Sequence, residues 1–214
     1  MNHFLVTTLS ALSILVPAFA CVARFGRLGE RYRPLAILIW AGVLNEALSY
    51  LLIQAHGNNM LNANLYSLVE CLLLLFFFYR WGRRYPPFVY SILAACMVAA
   101  WVLDNLVLHR VTSDNIVSDL FAFLMIVVIS MDHIGYLMIQ APGSRAHRSE
   151  ILLLAAFLLY YSYQAFISLF LLFPIGASPA FYTTLWLILS IVNMLVNLII
   201  ALSVLWIPTH RVYT

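Results

Sequence analysis

Glu46 and Glu70 each sit inside a long apolar run, in the stretches VLNEALSYLL and NANLYSLVECLLLLFF. A carboxylate in such a place can bind a cation, carry a proton, or hold a hydroxyl-rich ligand. An ionisable side chain at the middle of a bilayer costs roughly 2.5–3.5 kcal/mol, so it is expected to face a partner or a function. Two carboxylates close together in a low-dielectric interior cannot both ionise cheaply, so such a pair holds a proton.

Their neighbours are polar at helical spacing. Asn45 adjoins Glu46, and Gly42, Glu46, Ser49 and Tyr50 fall on one helical face. Tyr66, Ser67 and Glu70 share another face, and Tyr160, Gln164 and Ser168 follow one turn apart. Thr183, Ser190, Asn193 and Asn197 form a fourth stripe, read as interhelical hydrogen bonding. These spacings predict a ligand site of Glu46, Glu70, Asn45, Tyr66, Gln164 and Asn193. Asp132 and His133, in MDHIGY, suit a proton relay or a gate, with snorkelling to water as the plainer account. Asp104 and Asp119 lie near segment ends and are expected to be solvated.

Several chemistries are excluded or disfavoured. All eleven cations are arginine, and without lysine no lysine Schiff base can form. His133 is the one histidine inside an apolar segment, so no metal site and no cofactor is expected. There is no H-E-x-x-H, G-x-S-x-G or P-loop pattern, which leans away from an enzyme. Cys21, Cys71 and Cys96 lie in apolar runs at no ligand spacing and read as small buried hydrophobes. A net charge of +3, scattered along the chain, gives no nucleic-acid surface.

The elements that must position these residues follow from composition. The chain of 214 residues is 64% hydrophobic and 9% charged, where a soluble domain carries about 25% charged residues. A domain of this size cannot bury so much apolar surface, so the excess faces lipid. A membrane helix needs roughly 20 apolar residues. Seven segments qualify, at about 4–22, 35–54, 61–79, 88–108, 116–139, 151–173 and 181–207. The third is expected to start near Met60, capped by the asparagine-rich GNNMLNAN. Pro17 predicts a kink in the first. The fold expected is all-α: one seven-helix transmembrane domain over residues 1–214.

Arginine counts orient it. With the N-terminus outside, Arg24, Arg27, Arg31, Arg33, Arg80, Arg83, Arg84, Arg145, Arg148 and Arg211 all lie inside, and Arg110 alone lies outside. The expected place is an integral-membrane position in a bacterial inner membrane. In that orientation Glu46 and Glu70 fall in the outer halves of neighbouring helices, at similar depth.

The second and third segments faintly repeat in the sixth and seventh: NEALSYLL and NANLYSLVE against YQAFISLF and SPAFYTTLW. Three helices, a linker helix and three helices, with N-out and C-in, resembles the SWEET-type sugar carriers and their PQ-loop relatives. The resemblance covers the topology of the whole chain and no motif. No Pro-Gln pair is present and the fifth segment has no proline to match Pro17, so no family residue carries over. NANLYSLVECLLLLFFFYRW is also similar to small uncharacterised bacterial membrane proteins.

The function expected is a small carrier for a polar or cationic molecule, bound in an acidic outer-half pocket and proton-coupled through the glutamates. A receptor-like sensor working through a partner is the alternative, followed by an intramembrane enzyme or a subunit of a membrane complex. The partners expected are the lipid bilayer, a small-molecule ligand, and a second copy or another membrane protein.

Overall fold

The structure is a computed structural model and describes residues 3–82, 85–108, 111–112, 115–140, 145–173, 176 and 178–207. Arg83, Arg84, Arg110 and Arg211, which enter the arginine count, lie outside the described residues, as do His109 and His210. The described residues form helices and connecting turns, with no strand among them. Seven spans are long and apolar enough to cross a bilayer, which fits an integral membrane protein. Side chains such as Leu44, Leu106 and Val128 are more than 60% exposed, the surface a lipid-facing helix presents.

The first span is two helices. α1 (His3–Ser13) and α2 (Leu15–Arg24) are separated by a turn at Ile14. Pro17 has no N–H for the Ser13 carbonyl, and its ring crowds that carbonyl, so the helix breaks where the proline requires. The chain continues as α3 (Arg33–His56), α4 (Met60–Gly82), α5 (Pro87–Val102), α6 (Ile116–Gln140), α7 (Arg145–Leu172) and α8 (Pro179–Trp206). A π-helical segment, Leu103–Leu108, extends α5.

Local chemistry explains the ends. Gly57 closes α3 at φ 70°, a left-handed position that favours glycine. The side chain of the next residue, Asn58, accepts the Met60 N–H at 2.8 Å and starts α4, so the asparagine-rich entry caps as its sequence indicates. Ser178 caps α8 by accepting the Phe181 N–H at 3.3 Å, with Pro179 in the first turn. α7 begins at Arg145, six residues before its apolar run starts at Ile151. Arginine is a good helix former, so a charged stretch extends the helix beyond the apolar signal.

The helices divide into two compact units, the first of residues 1–30 with 124–214 and the second of residues 31–123. In the first unit α8 packs against α1, α2 and α7. Leu185, Leu189, Val196, Ile200 and Val204 make its buried stripe. The Tyr163 hydroxyl of α7 donates to the Leu185 carbonyl at 3.1 Å. Arg24 donates to the Leu205 carbonyl, placing a cation on the C-terminal end of α8, where helix carbonyls lack partners.

In the second unit α4 packs against both α3 and α5. Asn62 donates to Asn45 Oδ1 at 2.8 Å and to Ser49 Oγ at 3.0 Å, fixing the register of α3 against α4. A buried polar network closes the far end of this unit. Asn64 donates to the Val111 carbonyl at 2.6 Å, and the Trp101 indole donates to the Asn64 carbonyl at 2.9 Å. Asn105 donates back to the Trp101 carbonyl at 3.0 Å. Asp104, 1% exposed, accepts the Ser118 N–H at 2.8 Å and so caps α6 from the π segment. The expectation that Asp104 is solvated fails, because the wider π turn carries it inward.

Asp104→Ala leaves that buried N–H unpaired and is expected to cost about 1–3 kcal/mol. Thermal unfolding in detergent should show a clear loss for Asp104→Ala and a smaller one for Asp104→Asn, which keeps an acceptor. Equal stability of wild type and Asp104→Ala would contradict the capping role.

Candidate functional site

A cavity of about 410 Å³ lies among α1, α7 and α8, within the first unit. Thr7 and Ser10 come from α1, Tyr160 from α7, and Thr183, Ser190 and Asn193 from α8. Trp186, Leu187 and Leu189 supply apolar wall. Small-molecule sites have volumes of about 300–1,000 Å³ and combine mostly apolar walls with a few placed polar groups. This cavity has that size and that mix, and no charged residue lines it.

The sequence builds it from one stripe. Thr183, Ser190 and Asn193 recur at helical spacing on α8, one face that α1 and α7 flank. Two hydroxyls of that stripe bond back to their own helix: Thr183 to the Pro179 carbonyl at 3.0 Å and Ser190 to the Trp186 carbonyl at 3.0 Å. Their protons are spent, so they offer the cavity acceptor oxygens. Asn193 Nδ2 donates to Ser10 Oγ at 3.0 Å and to the Ser10 carbonyl at 3.4 Å. One turn on, Asn197 Nδ2 donates to Ser13 Oγ at 2.7 Å. Ser13 itself donates to the Ser10 carbonyl at 2.6 Å. The two asparagines therefore hold the broken end of α1, where Pro17 has disrupted the backbone ladder. The Oδ1 atom of Asn193 has no hydrogen-bond partner among the described residues. The polar atoms available to a ligand are mainly acceptors.

The sequence-predicted residues fall in different places. Asn193 lines the cavity, and Gln164 supports it by donating to the Tyr160 hydroxyl at 3.0 Å. Asn45 is engaged with Asn62 in helix pairing. Glu46 is half-buried in α3, with no hydrogen bond or ion pair among the described residues. Tyr66 and Glu70 are half-buried on α4. Asn62 lies level with residues 45–49, so Glu70, eight residues further along an antiparallel helix, sits about 10 Å from Glu46 along the helix axes at 1.5 Å per residue. The register does not put the two carboxylates at one depth. Glu70 lies instead one turn along α4 from Ser67, whose hydroxyl donates to Asp119. His133 is buried on α6, its Nδ1 bonded to the Ile129 carbonyl at 2.9 Å, and Asp132 beside it is half-buried. Burial of His133 is the opposite of snorkelling.

No family model, curated protein or solved structure matches this chain. The functional reading therefore rests on the geometry.

Three features went unread in the sequence. Ser10 and Ser13 look like ordinary small residues until Pro17 is seen to need them. Glu150, 4% exposed, falls in the early start of α7. Cys96 is exposed, unlike Cys21 and Cys71. Among the described residues no group of three His, Cys, Asp or Glu side chains is placed to hold a metal ion.

A water-filled cavity makes a checkable demand. In a Cys96→Ser background, Ser190→Cys should react with a membrane-impermeant maleimide in whole vesicles, while Leu195→Cys, 48% exposed on the same helix and outside the cavity lining, should not. Protection of both positions would mean that the cavity is closed to water.

Proposed function

We propose that this chain is a small membrane carrier whose binding site is the cavity among α1, α7 and α8. The cavity takes an uncharged molecule rich in hydrogen-bond donors, such as a hydroxyl or amide compound. The single observation behind this reading is the lining: acceptor oxygens from Asn193, Ser190 and Thr183 beside the Trp186 indole, with no charged residue. A full charge entering such a site would lack a counter-ion, and its desolvation would go uncompensated. The cationic ligand expected from the glutamates is set aside for this cavity.

The broken span favours a carrier over a fixed receptor. Thr7 and Ser10 form part of the cavity wall, and the turn at Ile14 joins that wall to α2. A short helix hinged at a proline and held by asparagine side chains can shift without unfolding a span. Such hinge motion is the usual basis of access changes. The arginine count supports an N-terminus outside, and on that reading the cavity opens to the external side. Glu46 is the group proposed to couple transport to protons, since it is half-buried and makes no bond with another described residue.

Proteoliposomes loaded with a panel of radiolabelled polyols, amides and ammonium compounds test the reading. Uptake of an uncharged member is expected, with Asn193→Ala reducing it about tenfold through loss of a hydrogen bond in a dry site. Glu46→Gln should keep uptake but remove its response to an imposed proton gradient. If no uncharged compound crosses, or if Asn193→Ala transports like wild type, the cavity is not a transport site.

A further inference from the structure

We propose that the start of α6 is a binding site for a trapped water molecule, held between the Asn115 side-chain amide and the Ser118 hydroxyl. Asn115 is 3% exposed, and its Nδ2 is buried. The amide makes no hydrogen bond with another described residue. A buried N–H left unmet costs more than a hydrogen bond returns, so a donor in such a place is expected to have a partner.

The cap of α6 explains why this amide is left over. Asn115 precedes Ile116, the first residue of the helix, and its carbonyl accepts the Asp119 N–H at 3.0 Å. An asparagine at that position ordinarily turns its side-chain oxygen to the N–H two or three residues on. Here the Ser118 N–H is taken by Asp104 Oδ2 at 2.8 Å, from the π segment. One helix start thus has two residues suited to cap it, and the one from the neighbouring segment does so. The Asn115 side chain is released from its usual bond and stays inside the protein. π turns are rare and recur at functional sites.

The chemistry around the amide selects the ligand. Nδ2 is a donor, so it repels a cation and calls for an acceptor. The Asp104 carboxylate already answers the positive end of the α6 dipole, so an arriving anion would meet like charge. A neutral oxygen remains. Ser118 is 5% exposed and Asp104 1%, so the place is closed and suits a molecule of the size of water. A buried water needs two to four polar partners. Asn115 Nδ2 donates to it, and it donates to Ser118 Oγ, which lies on the same helical face three residues on. The Ser118 hydroxyl directs its own proton to the Asn115 carbonyl at 3.4 Å, which leaves its oxygen to accept. All of these residues belong to the second unit.

The test is NMR of the full-length protein in lipid bilayers, reading cross-peaks from water and from lipid protons to the Asn115 side-chain amide. A water cross-peak is expected, and it should persist when a water-soluble gadolinium chelate broadens exposed amides. Ser118→Ala keeps the backbone N–H that Asp104 holds and removes one of the two water partners, so the cross-peak should be lost. Should that variant not fold, a crystal structure of the wild type carries the test, with a density peak about 2.7–3.2 Å from both Asn115 Nδ2 and Ser118 Oγ. No water cross-peak in the wild type overturns the proposal, as does an unchanged one in Ser118→Ala. A signal broadened by the chelate would mean an amide open to solvent, and cross-peaks to lipid protons would mean a lipid oxygen in its place. Either result also overturns it.

Discussion

Hydrocarbon offers a polar group no partner, so every donor and acceptor within a span must be met by the protein or by trapped water. That constraint explains where the asparagines of this chain are. Asn193 and Asn197 meet Ser10 and Ser13 beside the break that Pro17 makes. Asn62 joins α3 to α4 through Asn45 and Ser49. Asn64 and Asn105 tie the π segment to α4, and Asp104 caps α6. Each interhelical pair is worth only about 1 kcal/mol. Leaving such a group unmet costs more than the pair returns, and it is this cost that sets the register.

The same constraint turns Asn193 toward function. Its amide nitrogen is occupied by Ser10 and its carbonyl oxygen is not, and that oxygen belongs to a residue lining the cavity. The neighbouring hydroxyls have spent their protons on their own helix. A region rich in acceptors and free of charge suits a neutral donor. The carboxylates that drew attention in the sequence do not line it, Glu46 lying on α3 and Glu70 on α4.

The spans were legible because lipid imposes a length and a composition that a sequence shows directly. The cap before Met60 was equally readable, since a side-chain cap needs particular residue types. The early start of α7 was not readable from hydropathy, because arginine helices carry no apolar signal. Depth was the weakest inference. Distance from a loop put Glu46 and Glu70 together, but the register that Asn62 sets separates them by about two turns at 3.6 residues per turn. The π segment was invisible for a similar reason: a single wide turn leaves the apolar pattern intact and redirects Asp104 and Asn105 inward. Of the site, the α8 stripe was visible as a pattern, while its partners on α1 appear only once the broken helix is placed beside it.

The central claim is that the polar stripe of α8 faces water held in a cavity rather than lipid or a closed interface. Solid-state NMR of the protein in bilayers can measure magnetisation transfer to the Asn193 side-chain amide from water and from lipid acyl protons. The account predicts rapid transfer from water and little from acyl chains. Transfer dominated by acyl protons, or none from water, would contradict it.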